Sequence, residues 1–306
     1  DDSMFINAGN NSTINLLSGT NISSTNKAIT GVYSTRSTVK NEGTIALTGD
    51  KSSALYAEGS TVSNESTGKI TVAKDGSGIY VKALTTAPVA LGSGTNYGEI
   101  NIGEASVGIR AEDATIINET TGKILSTAKS ATGMSQSGGS QNIVNKGTIT
   151  LASGQNMIGM MLDTEYFGIP AYYKFAKSPQ TNNDGKIIIG PSATNSVGFD
   201  YGYYATGSSN EGPNGTVKVG NIIINGNSNY GYRQKYYSAT PNYYNGMGTV
   251  SGANGIITLN GKNNVGYSIA HGKTTGDPIS NIAKMQVQVN GQNNVGFLRN
   301  SDTSTT

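Results

Sequence analysis

Apolar residues along the chain recur in pairs separated by one position, which is the spacing of a β-strand with one buried face. One stretch of each unit begins with Asn and Gly and continues into such a pair, as in Asn41-Glu-Gly-Thr-Ile-Ala-Leu47. A short turn follows, and then a Gly with a large apolar residue, as in Gly31-Val32. A third stretch places an apolar residue two positions before the next Asn, as in Val62 and Asn64. The pattern predicts three short strands in every unit.

The unit recurs about ten times, with a period between 23 residues (Val32 to Leu55) and 39 residues (Met160 to Phe199). Three strands of about four residues cannot bury an apolar face by themselves, whereas stacked copies pair every backbone group and align like side chains. The sequence therefore predicts an all-β fold. Residues 1–306 should form a single parallel, right-handed β-helix solenoid of about ten coils, a rod roughly 48 Å long at about 4.8 Å per coil.

Three rows of like residues should run along this rod. One internal ladder is predicted from Ile45, Ile70, Ile100, Ile124, Ile149, Ile187, Ile222 and Ile257. A second is predicted from Val32, Leu55, Ile79, Ile109, Met134, Met160, Phe199, Tyr232, Tyr267 and Phe297. The amides of Asn7, Asn41, Asn64, Asn118, Asn145 and Asn281 should stack at a corner and bond along the stack. The Gly before each apolar residue suits a corner where a Cβ would clash or φ must be positive.

A meander of hairpins is the competing fold. The dipeptides Asn225-Gly226, Asn260-Gly261 and Asn290-Gly291 are typical of two-residue hairpin turns. Hairpins do not require a third strand that ends in Asn at every repeat, so the solenoid is favoured.

Composition narrows the class of protein. The chain has 42 Gly, no Cys, 13% charged residues and a formal net charge of +2. This excludes a disulfide framework and a Cys-ligated zinc site, and it gives no field for nucleic acid or an anionic membrane. No run of 18 apolar residues suggests a transmembrane helix. Because no signal peptide precedes Asp1, we expect a mature or excised segment.

A second motif, Ser or Asn, then Val or Tyr, Gly and a large apolar residue, indicates a family. It occurs at Ser106-Val-Gly-Ile109, Ser196-Val-Gly-Phe199, Asn229-Tyr-Gly-Tyr232, Asn264-Val-Gly-Tyr267 and Asn294-Val-Gly-Phe297. Together with the Asn-x-Gly stretches, it resembles the passenger domains of large fusobacterial-type autotransporter adhesins of the RadD-like type. The resemblance implies display on the bacterial cell surface and adhesion to other bacteria or host cells. It also implies anchoring by a C-terminal outer-membrane barrel, which we expect to lie beyond residue 306.

Long insertions are predicted at one point of the unit, after the strand that begins with Gly and an apolar residue. They run over about 163–182, 201–219 and 233–252, with shorter ones near 82–95 and 135–142. Ten of the seventeen Tyr fall in the three longest: Tyr166, Tyr172, Tyr173, Tyr201, Tyr203, Tyr204, Tyr236, Tyr237, Tyr243 and Tyr244. Tyr with Ser, Gly and Asn is typical of recognition loops, so these are the candidate binding residues. The alternative is that the loops pack on one another and cover apolar coils.

Other Tyr residues have structural interpretations. Tyr232 and Tyr267 belong to the inward ladder, and Tyr33, Tyr56 and Tyr80 occupy one outward column, where they should stack on each other. A sugar-stacking platform is the less favoured interpretation of that column.

No catalytic or metal site is expected. Polysaccharide-cleaving sites need carboxylates that converge on one face. The outward columns hold few acids, such as Glu99 and Asp200, while Glu112, Asp113, Asp163 and Glu165 are assigned to connections. His271 is the sole His, which leaves nothing for a His-based triad or a His-rich metal site, and the Gly-rich calcium repeat is missing. We therefore expect no enzyme activity and no cofactor.

Two function classes follow. The first is an adhesin segment, monomeric and without direct membrane insertion, whose insertions bind a surface protein or glycan of another bacterial or host cell. The second is a structural spacer that projects a distant binding tip; a glycan-cleaving enzyme is a distant third. A pure spacer needs short, uniform connections, which hold for much of 1–160, whereas 163–252 departs from them.

Overall fold

A computed structural model of the chain describes residues 3–9, 11–86, 88–137, 142–163, 181–205, 217–238, 250–251, 255–271 and 282–301. The strands in these residues are β1 (Ser3–Gly9), β2 (Thr13–Leu16), β3 (Asn21–Ser24), β4 (Ile29–Thr35), β5 (Thr38–Asn41), β6 (Thr44–Leu47), β7 (Ser53–Glu58), β8 (Thr61–Asn64), β9 (Lys69–Val72), β10 (Ser77–Lys82), β11 (Ser93–Asn96), β12 (Glu99–Ile102), β13 (Val107–Glu112), β14 (Thr115–Asn118), β15 (Lys123–Ser126), β16 (Thr132–Ser137), β17 (Ile143–Asn145), β18 (Thr148–Gln155), β19 (Ile158–Asp163), β20 (Thr181–Asn183), β21 (Lys186–Thr194), β22 (Val197–Ala205), β23 (Val217–Lys218), β24 (Asn221–Ile224), β25 (Tyr230–Ser238), β26 (Val250–Ser251), β27 (Ile256–Leu259), β28 (Val265–His271), β29 (Ile282–Ala283), β30 (Gln286–Val289) and β31 (Val295–Ser301).

Every third strand pairs with the next in parallel, so the described strands form three sheets. Sheet A runs β1-β4-β7 and onward to β31 with 11 strands, sheet B runs from β2 to β29 with 10, and sheet C runs from β3 to β30 with 10. Coil 1 is β1 to β3, coil 2 is β4 to β6, and so on to coil 10, which is β28 to β30. The predicted parallel β-helix of about ten coils is confirmed, and the hairpin meander is wrong. Within the described residues, the antiparallel pairing recorded is the isolated bridge Leu84 to Ala90.

Both predicted apolar ladders are present at every step. The Ile ladder faces inward from sheet C in unbroken register from Ile45 to Ile257 and continues to Val287. The second ladder runs in register from Val32 to Phe297 on the inner face of sheet A. Ile109, Met134 and Met160 stack in consecutive coils and are fully buried. The core is therefore a continuous column along the axis.

Most of the Gly residues before the second apolar ladder leave no room for a Cβ, and none of them has a positive φ. At Gly108, an added Cβ would lie 2.5 Å from the Gly133 carbonyl oxygen and 2.6 Å from the Ile124 side chain. Positive φ occurs instead three positions earlier, at residues that are not Gly. They are Ala28, Lys51, Asp75, Ala105, Ser130, Asn156, Asn195, Ser228, Asn263 and Asn293. This row, which we call the left-handed row, forms the corner between sheets C and A.

The buried amide ladder exists at the corner between sheets B and C, with a different membership. Each Nδ2 donates to the Oδ1 of the next coil at 2.8–2.9 Å, through Asn41, Asn64, Asn96, Asn118, Asn145 and Asn183. Asn183 then donates to the carbonyl oxygen of Val219 at 2.8 Å. The predicted membership of Asn7 is wrong, because Asn7 lies in sheet A beside Tyr33 and Leu16 fills the corner position in coil 1. Asn281 lies outside the described residues.

Polar side chains also close the corner between sheets C and A. In several coils a Ser hydroxyl accepts a backbone N–H of the preceding coil, as Ser52 does from Ile29 at 3.1 Å. In coils 9 and 10 and at β31, Asn replaces Ser. Asn229, Asn264 and Asn294 accept the backbone N–H of Ser196, Asn229 and Asn264 at 2.7–2.9 Å. Their Nδ2 groups donate to carbonyl oxygens of the preceding turn at 2.9–3.0 Å.

Candidate functional site

The three long insertions leave the rod at one edge, between sheets A and B. They connect β19 to β20, β22 to β23 and β25 to β26, and these strands are direct neighbours in both sheets. The predicted bounds were too wide, because β22 continues to Ala205 and β25 to Ser238. The segments without described structure are 164–180, 206–216 and 239–249. Since adjacent parallel strands lie about 4.8 Å apart, the bases of the insertions are neighbours along the rod.

The predicted binding residues divide into three groups. Tyr166, Tyr172, Tyr173, Tyr243 and Tyr244 lie outside the described residues. For Tyr203, Tyr204, Tyr236 and Tyr237 the structure describes the backbone, which pairs Tyr203 with Tyr236 and Tyr204 with Tyr237 in neighbouring strands. Tyr201 is described completely.

Tyr201 is a core residue and not a loop residue. It lies beside Leu162 and Gln234 in the second inward column of sheet A and is 5% exposed. The prediction ended the strand too early: with β22 extended, the period of two turns Tyr201 to the same face as Phe199. The binding hypothesis for Tyr201 is therefore wrong.

A bidentate ion pair joins the two strands of sheet A, β22 and β25, that lead to the second and third insertions. Arg233 donates from Nε to Asp200 Oδ1 at 2.9 Å and from Nη2 to Oδ2 at 2.6 Å, between Cα partners of β22 and β25. The Asp200 side chain is 7% exposed and that of Arg233 is 25% exposed. Two parallel charge-assisted hydrogen bonds fix both side chains against each other, so this pair links two neighbouring strands of sheet A on their outer face.

The outward Tyr column of coils 2 to 4 stacks as predicted. The rings of Tyr56 and Tyr80 are parallel within 7°, with centroids 4.8 Å apart. Tyr33 meets Tyr56 edge to face at 5.4 Å. The guanidinium of Arg110 lies 4.8 Å from the centroid of Tyr80 and closes the column.

This stacking bears on the sugar-platform interpretation. A pyranose ring needs a free aromatic face, whereas both faces of Tyr56 are in contact with Tyr33 and Tyr80. The faces of Tyr80 contact Tyr56 and Arg110. The column is therefore built as a mutual stack, which supports its structural role.

Two carboxylates that the sequence analysis did not place on this face complete it. Glu58, Lys82 and Glu112 are Cα partners at the ends of three successive sheet A strands, so the assignment of Glu112 to a connection is wrong. Glu58 accepts hydrogen bonds from Tyr33 and Tyr56 at 3.1 and 2.9 Å and lies 3.1 Å from Lys82 Nζ. Glu112 accepts from Tyr80 at 2.6 Å and from Arg110 at 2.9 Å.

The environment of Glu58 opposes proton donation. Burial alone would raise the pKa of its carboxyl, but hydrogen bonds from Lys82, Tyr56 and Tyr33 outweigh it and lower that pKa. Burial, and then the bond to Glu112, raises the pKa of Tyr80 well above its usual range. An ionised carboxylate and neutral tyrosines make a fixed hydrogen-bonded lattice rather than a general acid.

Metal-binding and membrane-spanning features were sought in the described part of the chain. There, no three His, Cys, Asp or Glu side chains come close enough to hold an ion. The side chain of His271 falls outside it. No described helix has the length and apolar character to cross a membrane.

Comparison with known proteins gives one match. The family model of the BigA third pectate lyase-like domain matches residues 1–172, which is 172 of the 306 residues. No curated protein and no solved structure matches the chain. The matched part covers coils 1 to 6 and β19, so it includes the Tyr column and most of the buried amide ladder.

Proposed function

Because the chain belongs to the BigA third pectate lyase-like domain family, we propose that it is a rigid segment of an autotransporter adhesin passenger. In this proposal it is displayed on the bacterial surface, anchored at the outer membrane, and binds a protein or glycan of another bacterial or host cell. The observation that carries it is the insertion edge: three consecutive coils direct their longest connections from one side of the rod. Family and fold together support the broader assignment to a bacterial surface adhesin passenger domain, and nothing in them speaks specifically for the RadD-like type.

The rod suits display of binding loops. The ladders of coils 7 to 9 continue unbroken beneath the insertions, with Met160, Phe199 and Tyr232 fully buried. Loops on a rigid scaffold can therefore change without loss of the core that supports them. The Tyr content of the insertions suits contact with either a protein or a glycan.

The test is a variant in which 164–180, 206–216 and 239–249 are each replaced by the two-residue connection 36–37 that joins β4 to β5. Beads coated with the chain would be counted on fixed epithelial cells and on bacterial cells. We expect most of the adhesion to be lost, with the thermal midpoint retained because the ladders are untouched. Adhesion at full strength by a folded variant would instead favour the spacer.

A structural spacer is the second candidate function, because the connections in coils 2, 3 and 5 are short and uniform. Their connections from sheet A to sheet B have two residues each, at 36–37, 59–60 and 113–114. Such uniform coils add length without adding a surface feature. The loop-shortened variant separates the two candidates.

We further propose that the segment has no hydrolase or lyase activity on polysaccharides. Glu58 and Glu112 are committed to Tyr, Lys and Arg partners, and the lowered pKa of Glu58 keeps it ionised. The measurement is reducing-end release and unsaturated-product absorbance on a glycan panel, with and without calcium. Product formation that disappears in Glu58→Gln or Glu112→Gln would contradict this proposal.

A further inference from the structure

One connection in coils 2 to 5 departs from the two-residue pattern. Between β10 and β11 the chain runs through 83–92, ten residues, of which residue 87 lies outside the described residues. Leu84 and Ala90 exchange backbone hydrogen bonds at 2.9 and 3.1 Å, so this segment is a small hairpin. We call it the coil 4 hairpin. It leaves the rod between sheets A and B, on the same edge as the long insertions.

The hairpin is fastened to two earlier coils. Nη2 of Arg36, in coil 2, donates to the carbonyl oxygens of Thr86 and Pro88 at 3.1 and 3.0 Å. Arg36 forms no ion pair with any described residue. Its guanidinium donates instead to the backbone of the hairpin. In coil 3, Gly59 makes room: an added Cβ would lie 2.7 Å from Ala90 Cβ and 2.9 Å from Leu84 Cβ. Residues of three coils therefore hold one short loop in place.

The side chains that the coil 4 hairpin exposes to solvent are apolar. Val89 is 67% exposed and Leu91 is 60% exposed. The hairpin reads Ala-Leu-Thr-Thr-Ala-Pro-Val-Ala-Leu-Gly, without a charged, aromatic or amide side chain. A single exposed aliphatic residue is ordinary on a protein surface. Two on an anchored projection form a contact whose backbone is preorganised, because the hydrogen bonds of the loop already restrict its backbone before binding.

We propose that the coil 4 hairpin is a protein-docking element whose Val89 and Leu91 enter an apolar depression on a protein of another cell. The chemistry selects the partner class. Stacking on a sugar ring needs an aromatic face, and the hairpin carries no aromatic, charged or amide side chain, whereas two exposed aliphatic side chains suit the apolar core of a protein interface. The inference rests on the proposed adhesin function and extends it to the amino-terminal half of the rod.

The experiment uses the full chain on beads and fixed epithelial cells as the probe, with Val89→Ser/Leu91→Ser as the test variant. The matched control is Leu17→Ser, since Leu17 is 62% exposed at the corner between sheets B and C, away from the hairpin. We expect about ten-fold weaker adhesion for the double variant and unchanged adhesion for the control, at equal thermal midpoints. Protease treatment of the cells should abolish the hairpin-dependent part, and periodate oxidation of their glycans should spare it.

A second variant tests the anchorage. Gly59→Asn keeps a residue that tolerates positive φ, but its Cβ would strike the hairpin. We expect faster amide hydrogen exchange at Leu84 and Ala90, unchanged exchange in β4 and β7, and weaker adhesion. Full adhesion by both variants, or adhesion removed by periodate and not by protease, would overturn the docking proposal. A loss caused only by shortening the three long insertions would sustain the proposed function while refuting the hairpin's role.

Discussion

Coils 2 to 7 and coils 8 to 10 solve the same packing problem with different side chains. In the first group, the inner ladder of sheet A is aliphatic or thioether, from Val32 to Met160. In the second it is aromatic: the rings of Phe199, Tyr232 and Tyr267 are successive neighbours, edge to face at 5.6 Å and then tilted at 5.9 Å between centroids. The ladder residues of both groups are fully buried. The fold therefore requires an inward-pointing apolar side chain at this position, but it accepts aliphatic, thioether and aromatic types.

The polar corners change at nearly the same place. In coils 2 to 7 buried amides bond to each other between sheets B and C, and this ladder ends on Val219 in coil 8. From coil 9 onward, buried amides lie between sheets C and A and bond to backbone groups. The same corner between sheets C and A carries a second amide row, Asn225, Asn260 and Asn290, in which Asn260 and Asn290 are exposed. Each half thus keeps one buried amide row, which satisfies a turning backbone that water cannot reach.

The largest effect is expected in the aliphatic half. Ile109→Asp places a carboxylate in a fully buried ladder position, and should cost at least about 4 kcal/mol by loss of apolar burial and by desolvation of the charge. Denaturant unfolding followed by circular dichroism measures it. Ile117→Asp, in the same coil but on the outward face of sheet B, is the control and should cost little. Equal stability of the two variants would refute the register.

An intermediate effect should separate the two amide rows. Asn118→Ala removes both a donor and an acceptor from the buried row, so Asn96 Nδ2 loses its amide acceptor and Asn145 Oδ1 loses its amide donor, at a cost of about 2–4 kcal/mol. Asn260→Ala removes equivalent bonds from the exposed row, where water replaces them, and should cost less than about 1 kcal/mol. Comparable losses would mean that burial does not distinguish the rows.

The smallest effect belongs to the aromatic half and reverses sign. Among the described residues, none forms a hydrogen bond with the buried hydroxyls of Tyr232 and Tyr267. Tyr232→Phe removes such an orphan and should stabilise the rod by up to about 1 kcal/mol, as measured by denaturant unfolding at neutral pH. A loss of stability would indicate a partner for that hydroxyl.

The same residue gives a pH dependence. Burial raises the pKa of Tyr232 above its usual value, so the folded state holds the proton more tightly than the unfolded chain. The associated stability is complete below about pH 10 and is lost as the pH rises through the folded pKa. Tyr232→Phe should retain more stability than the unmodified chain at alkaline pH. The remaining decline reflects Tyr56, Tyr80 and Tyr267, whose pKa values are also raised.

Sequence reasoning recovered the apolar ladders residue by residue, because the period of two and the preceding Gly mark each inward position. It lost two members of the amide ladder where that signal failed. The inward position two residues before Asn96 is Gly94, where an added Cβ would lie 2.8 Å from the Val81 side chain. The corresponding position before Asn183 is the polar residue Thr181. Asn7 was misplaced because coil 1 has Leu16 at the corner instead of Asn.

The errors at the candidate site have one cause, the end of the sheet A strands. Strands that continue past their predicted ends turn Tyr201 inward and bring Glu112 onto the outer face beside Lys82. Strand ends depend on pairing with the next coil, which is not local information. The contact between Arg36 and the coil 4 hairpin could not be predicted from the sequence either, since Arg36 and Thr86 are 50 residues apart.

The left-handed row sets where this rod can grow or shrink over evolution. Each of the ten turns from sheet C to sheet A has a residue of positive φ four positions before the inward ladder residue, and none of these ten residues is β-branched. At eight of these turns, the N–H of this residue donates to a backbone carbonyl oxygen of the following coil. Successive coils at these turns are therefore joined by the same hydrogen bond. A gene duplication or deletion with breakpoints at two of these positions would add or remove whole coils in register. Length, at about 4.8 Å per coil, could then change without a new cross-section.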